Sequence, residues 1–203
     1  MSVFSAEKVV KPLPTIREVK PDTFIFERLG ALPPEFCDEV IRRFEANPEQ
    51  QRKGVIGQTG EEHGEIKRTM DLVVSDKDDW ADVDQVFFRC AAAALNEFRN
   101  TYDYFKGQFK DMGYQVQRYR EGEFYHWHID GGSHQFGERQ LVFLWYLNDV
   151  EEGGETEFLF QGVEAKPEQG KLMIFPPFWT HEHRAKVVKK GVKYIATTWV
   201  VFA

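Results

Sequence analysis

The sequence predicts a mainly β fold with supporting helices, in which two amphipathic helices lie on one face of an antiparallel sandwich or barrel. Three observations carry this expectation. Two segments with apolar residues at helical spacing fall before residue 103. After Gly107 the apolar pattern changes to alternation and short continuous runs. Aromatic residues make up 15% of the chain, 18 of them Phe, which suits a broad sheet-lined core. The 203 residues are enough for one domain with a sizeable core and few for two. The expected organisation is a single domain over 1–203, with N-terminal strands and supporting helices to residue 112 and a β core over 113–203.

Taken in order, residues 1–22 are polar and punctuated by Pro12, Pro14 and Pro21, which predicts an arm or edge strand. Thr23-Phe24-Ile25-Phe26 reads as a strand. Pro33-Pro34-Glu35 opens a helix in which Phe36, Val40, Ile41 and Phe44 recur at helical spacing, and Pro48 helps to stop it. Residues 49–68 are rich in Gln, Gly and Glu, a loop by composition and a candidate lid over a site. The stretch from Glu65 to Leu72 leads into a second strand. Asp79-Trp80 then opens a long helix through Val86, Phe87, Ala91, Leu95 and Phe98, ending near Tyr102. Beyond Gly107, Tyr114–Tyr119 alternates, Leu141–Leu147 is a continuous buried run, and residues 148–154 turn. Glu155–Phe160 alternates again. Lys171–Phe175 and Lys193–Phe202 complete the strands. No repeat or low-complexity segment is visible.

Composition excludes some classes of function. With 42% hydrophobic and 29% charged residues the chain is an ordinary soluble type, and a net charge of -7 argues against a general electrostatic binder of nucleic acid. Cys37 and Cys90 lack ligand spacing and read as buried thiols in a reducing compartment. Met1–Lys8 holds no apolar signal-peptide core, and no apolar run is long enough to span a membrane. The expectation is a cytoplasmic protein without nucleic-acid or membrane partners.

The chemistry concentrates in Tyr125-His126-Trp127-His128-Ile129-Asp130. Read as a strand, it sets His128 and Asp130 on one face, about 6.5–7 Å apart along the chain and able to converge on one ion. His126 and Asp130 would stand about 13 Å apart, so the three cannot all serve. The pair is therefore His126/His128 or His128/Asp130, and the same choice exists downstream between His181 and His183. Two imidazoles and one carboxylate on one face would suit non-haem Fe(II) with open positions. A zinc catalyst built from His126, His128 and His181, with Glu155 or Glu157 as base, is the competing arrangement.

Tyr119-x-x-Gly122-x-x-Tyr125-x-x-His128-x-Asp130 resembles the metal-binding strand of prolyl 4-hydroxylase-like 2-oxoglutarate- and Fe(II)-dependent dioxygenases. Arg139, Tyr146-Leu147-Asn148-Asp149 and Gly153-Gly154-Glu155-Thr156-x-Phe158 are similar to that family's central strands. Pro167-x-x-Gly170-Lys171-Leu172-Met173-Ile174-Phe175-Pro176, followed by His183, Val188, Gly191, Lys193 and Trp199, is similar to its C-terminal signature. The resemblance covers about residues 114–203 and extends loosely to Glu65–Thr69. Val187-Val188 replaces the usual Pro-Val, and the aromatic Phe178–Glu182 segment is closer to bacterial and phage relatives than to animal collagen enzymes.

The resemblance implies a double-stranded β-helix, the jelly-roll or cupin-like core, and assigns His128, Asp130 and His183 as ligands of Fe(2+). It implies 2-oxoglutarate as co-substrate with O2, and ascorbate as an auxiliary reductant. Lys193 is the expected cation for the far carboxylate of 2-oxoglutarate, with Tyr119 and Tyr146 as hydroxyl partners and Thr156 and Trp199 as support. Arg139, Arg68 and Trp145 are candidate substrate contacts. The carboxylate of Asp130 speaks for hydroxylation, since halogenating relatives lack it. The implied reaction is hydroxylation of an aliphatic C–H, foremost in a prolyl residue of a peptide or protein, with decarboxylation of 2-oxoglutarate to succinate and CO2. The alternatives are a hydroxylase of a free amino acid or small metabolite and a non-catalytic, ligand-binding jelly-roll sensor.

Overall fold

Alternation of side chains explains the architecture. The computed structural model describes residues 15–57, 60–75, 77–132, 134 and 136–203, so the expectations for Pro12 and Pro14 lie outside the described residues. Its elements in chain order are β1 (Arg17–Glu18), β2 (Phe26–Arg28), α1 (Pro34–Ala46), β3 (Arg52–Lys53), β4 (Met70–Val73) and α2 (Ala81–Thr101). There follow β5 (Phe109–Asp111), β6 (Gln115–Tyr119), β7 (Tyr125–His128), β8 (Arg139–Tyr146), β9 (Glu152–Gly153), β10 (Thr156–Phe158) and β11 (Val163–Ala165). The last are β12 (Leu172–Phe175), β13 (His183–Ala185), β14 (Val188–Lys190) and β15 (Lys193–Phe202).

A large antiparallel sheet runs β1-β2-β12-β8-β15-β6-β4-β3, with β5 pairing on β15. A smaller sheet, β11-β10-β13-β7, faces it, and β9 pairs with β14. The fold is a jelly roll with two supporting helices. The helices cover the outer face of the large sheet, and the space between the sheets forms a second core.

β8 shows why the strands read as they do. Leu141, Phe143 and Trp145 turn to the helices, and Val142, Leu144 and Tyr146 turn to the barrel. Both faces are covered, so the strand is continuously apolar. β6 is buried on both faces too, with Gln115, Gln117 and Tyr119 inward; the helical side receives Val116, and the Arg118 guanidinium lies over the Phe44 ring. Its polar inner residues mark a lined cavity.

α1 buries Phe36, Cys37, Val40 and Phe44, and α2 buries Val83, Phe87, Cys90, Ala91, Ala94 and Phe98. Phe87 links the layers: its ring centroid lies 5.4 Å from Phe36, 5.5 Å from Tyr114 and 5.3 Å from Trp145. The predicted strand over residues 23–26 begins only at Phe26. Asp22 (φ 64°) and Phe24 (φ 56°) take left-handed backbone, and Val19 N–H donates to the Ile25 carbonyl, so a turn at Pro21–Asp22 and irregular backbone over 23–25 precede the strand. Trp145, a candidate substrate contact, faces the helices, where its indole N–H donates to Cys90 Sγ at 3.3 Å. No helix among the described residues is long and apolar enough to cross a membrane.

Phe87 is fully buried at this junction, so Phe87→Ala should cost about 3–5 kcal/mol of unfolding free energy in urea denaturation. A loss below about 1 kcal/mol would mean that α2 does not hold the sheet in the way described.

Candidate metal centre

β13 pairs antiparallel with β7, and the register places His183 opposite His128. Their rings are 4.3 Å apart. Each ring is oriented by its own strand: His128 Nδ1 lies 2.7 Å from the His126 carbonyl and His183 Nδ1 lies 2.9 Å from the His181 carbonyl. A carbonyl only accepts, so both Nδ1 atoms carry the proton and both Nε2 lone pairs point away from the backbone.

Asp130 differs from expectation in its backbone, because β7 ends at His128. A bend then carries Asp130 into place, with Asp130 N–H and Gly131 N–H both donating to the Pro177 carbonyl at 3.1 and 2.8 Å. A Cβ on Gly131 would stand only 3.0 Å from Pro177, which favours glycine in this turn. Asp130 Oδ2 reaches 3.4 Å from His183 Nε2. One ligand atom from each of His128, Asp130 and His183 falls within 4.8 Å of the others. Burial and the neighbouring His183 push the His128 imidazole down to about 3, so it is neutral and available as a ligand at ordinary pH.

The competing zinc set is not brought together. His181 is a core residue, with Nδ1 2.9 Å from Thr180 Oγ1 and Nε2 2.8 Å from the Thr23 carbonyl. His126 is exposed, and its Nδ1 accepts from Trp127 N–H. Glu157 binds Arg184 at 2.6 Å and Glu155 lies 3.6 Å from Lys186; neither lines the cavity. The remaining donors, two imidazoles and one carboxylate beside a cavity of about 230 Å³, fit an octahedral ion that keeps open positions.

Lys193 closes one end of this cavity. It is fully buried, its Nζ donates to the Gly154 carbonyl at 2.9 Å, and it lies 4.1 Å from the centroid of the Tyr119 ring. Burial pushes the ammonium down to about 7, against the opposing pull of Glu155. Three N–H donors facing one carbonyl leave a demand for an anion. Tyr119 lines the cavity and its hydroxyl donates to Gln117 Oε1 at 3.0 Å. Tyr146 does not line it: its hydroxyl is committed to Thr156 Oγ1 at 2.7 Å and the Ala165 carbonyl at 3.2 Å. Thr156 stands in front and takes the cavity position.

Arg139 lines the opposite end. Its Nη1 donates to the Asp130 carbonyl at 2.7 Å, and its guanidinium stacks between Phe136 at 4.1 Å and Trp199 at 3.8 Å. Arg68 is exposed instead, holding the Gly64 carbonyl over Phe124. Its neighbour Lys67 enters the wall as a buried pair with Asp71, at 2.7 Å. Tyr125 stacks on His128 at 3.6 Å. Val55, Ile56 and Gly57, from the loop read as a candidate lid, complete that wall. Thr156 and Trp199, expected only as support, line the cavity directly, as do Tyr125 and Lys67. The two-residue period of β15, which sets Lys193, Ile195, Thr197 and Trp199 on one face, could have found Trp199.

Residues 114–201 match the family model of the 2OG-Fe(II) oxygenase superfamily. Prolyl 4-hydroxylase 13 of Arabidopsis thaliana is 32% identical over 114 residues, covering 43% of this chain and 42% of that protein. A PKHD-type hydroxylase of Synechococcus sp. strain CC9902 is 30% identical over 89 residues, covering 42% and 39%. The matches thus span about two fifths of these curated relatives. Among solved structures, a Trichoplax adhaerens prolyl hydroxylase in complex with a hypoxia-inducible-factor peptide fragment superposes with a TM-score of 0.76 at 15% identity, covering 89% of this chain and 84% of that one. A viral collagen prolyl hydroxylase from Paramecium bursaria Chlorella virus-1 gives 0.65 at 20% identity, covering 92% and 100%. These structural likenesses carry the fold.

The folded value of Lys193 lies below its unfolded value near 10.5, so the native state resists protonation there. Between about pH 7 and 10 the unfolded chain binds more protons at this position, and its contribution to stability rises with pH, by at most roughly 1.4 kcal/mol per pH unit. Below about pH 7 both states are protonated and the contribution is flat. The stability of the wild type relative to Lys193→Met, measured without metal or keto acid, should rise across that window. A constant difference would show that Lys193 is not desolvated.

Proposed function

From the match of residues 114–201 to the 2OG-Fe(II) oxygenase superfamily, we propose that the chain is a 2-oxoglutarate-dependent dioxygenase that hydroxylates a prolyl residue of a peptide or protein. The observation that carries the reading is a shared cavity: His128, Asp130 and His183 converge on one of its walls, and the buried ammonium of Lys193, with no carboxylate in contact among the described residues, closes its end. When bound, Fe(II) with 2-oxoglutarate and O2 supplies oxidative decarboxylation to succinate and CO2, and one oxygen atom enters an aliphatic C–H.

The chain's own residues do the positioning. His128 and His183 offer Nε2 with their tautomers fixed, and Asp130 supplies the anionic oxygen. Lys193 receives the far carboxylate of the keto acid, and the burial that disfavours its charge strengthens that ion pair. The hydroxyls of Tyr119 and Thr156 flank the same end. Arg139 fixes the Asp130 backbone and faces the substrate end with Trp199. Residues 55–57 shield one side from water.

A prolyl substrate is supported by the names of the Arabidopsis relatives and by the peptide in the Trichoplax structure. Ascorbate as an auxiliary reductant rests on the resemblance alone. The whole chain acting as one domain is supported by β1–β4, which extend the same sheet as β15. Cys37 and Cys90, both buried and unbridged, support residence in a reducing cytoplasm.

Anaerobic addition of Fe(II) and 2-oxoglutarate should produce a weak visible charge-transfer band that His183→Ala abolishes. A well-folded protein without the band would overturn the proposal. Lys193→Met should keep iron binding and raise the 2-oxoglutarate requirement about 100-fold, the order expected for stranding a buried carboxylate; an unchanged requirement would remove Lys193 from the co-substrate site. Asp130→Ala should abolish 2-oxoglutarate turnover in the absence of substrate, and retained turnover would remove Asp130 from the ligand set.

A further inference from the structure

β6 turns Gln115, Gln117 and Tyr119 into the metal cavity. Gln115 is fixed at one end, where its Nε2 donates to Thr197 Oγ1 at 3.3 Å. Tyr119 stands at the other end, paired across the sheet with Lys193. Gln117 lies between them, opposite Ile195 on one side and Asp71 on the other. It is 6% exposed, and its side chain forms one hydrogen bond, from the Tyr119 hydroxyl to Oε1 at 3.0 Å. Both oxygens of Asp71 are taken, by Lys67 and Thr69. Among the described residues nothing accepts from Gln117 Nε2, so the open edge of the amide is left to the cavity that it lines.

The direction of the one bond matters. A phenolic hydroxyl has a single proton. Burial, and then Asp71, push the ionisation of Tyr119 well above its ordinary value, so the proton stays on the phenol. With that proton committed to Gln117 Oε1, Tyr119 can only accept, and a carboxylate has nothing to donate. Tyr119 can therefore serve an anionic keto acid only if its proton is released. A carboxamide can release it while the strand stays in place. Its terminal torsion is broad and two-fold, and half a turn exchanges Oε1 for Nε2. Nε2 then donates to the Tyr119 oxygen, and the hydroxyl proton turns to the carboxylate. One neutral hydrogen bond replaces another, and a charge-assisted one, roughly twice as strong, is gained.

We propose that Gln117 is a positioning residue that sets the direction of the Tyr119 proton: it holds the proton while no keto acid is bound and, by turning its amide, directs it to a carboxylate oxygen of bound 2-oxoglutarate. The inference rests on the oxygenase reading. It makes co-substrate affinity depend on a group that can both accept and donate. A glutamate of the same shape only accepts, and a methionine leaves the proton unclaimed.

The test is calorimetric titration of 2-oxoglutarate into the full chain loaded with Zn(II), which has no redox chemistry. Tyr119→Phe should weaken binding about tenfold, the order of a hydrogen bond to a charged group. In the Gln117→Met background the same change should cost about as much. In the Gln117→Glu background, where the carboxylate keeps the proton, it should cost nothing, and this non-additivity is a readout that a merely structural role would not give. Should Gln117→Glu fold poorly, 15N spectra carry the test. The Gln117 side-chain amide, assigned through Gln117→Met, should shift saturably with 2-oxoglutarate in the wild type and by less in Tyr119→Phe. An equal cost of Tyr119→Phe with Gln117 and in Gln117→Glu, no cost in the wild type, or equal amide shifts would overturn the inference. Such a result with a normal charge-transfer band overturns the inference alone. A folded chain that binds no 2-oxoglutarate and gives no band loses the oxygenase reading, and the inference with it.

Discussion

When β13 pairs with β7, His183 comes to lie opposite His128, and both imidazoles are oriented by carbonyls of their own strands. That register is set from two sides. β10 pairs along the other edge of β13, with Phe158 opposite His183, and the Phe158 and Phe175 rings pack 5.6 and 4.8 Å from the imidazole. A one-residue slip would turn His183 out of the barrel and bring Glu182 or Arg184 in. The apolar contacts of the small sheet therefore hold the geometry, and the third candidate ligand, Asp130, follows from a bend anchored on Pro177. Preorganisation of this kind would let the candidate ligands meet an ion without backbone rearrangement.

Two buried lysines in one cavity illustrate how partner and place decide function. Lys67 is matched by Asp71 at 2.7 Å, and Thr69 Oγ1 donates to the other oxygen of that carboxylate. It completes a wall. Lys193 has a carbonyl and an aromatic face but no carboxylate in contact among the described residues. A buried cation lacking its counter-charge is destabilising on its own, and a well-placed anionic ligand offsets part of that cost. The cavity thus separates a structural ion pair from an incomplete one.

Much of the core was legible in the sequence because its period is plain. Leu141–Leu147 was bound to be a covered strand, and the spacing of Phe36, Val40 and Phe44 fitted a helix lying on a sheet. The candidate ligands were legible as a choice of pairs, which only the family resemblance narrowed to His128, Asp130 and His183. What escaped depends on tertiary placement. Trp145 and Tyr146 are neighbours on β8; one points to the helices and the other stands behind Thr156, and no local pattern tells which polar atom finally meets the cavity. Strands of two or three residues, such as β9 and β14, exist through their pairing with each other and have too little sequence to show a period. Asp22 and Phe24 break a strand-like run by backbone conformation, which residue type did not announce.

The two faces of β8 have a consequence for how this chain can change over time. Substitutions at Leu141, Phe143 or Trp145 act on the helical layer, whereas those at Val142 or Leu144 reshape the cavity. Single exchanges on either face can be absorbed separately. Gain or loss of one codon inside the strand exchanges the two sets at once, sending indole and phenyl groups into the barrel and the small aliphatics under the helices. Length variation is thus confined to the connections, and diversification of the cavity must proceed by replacement on every second residue.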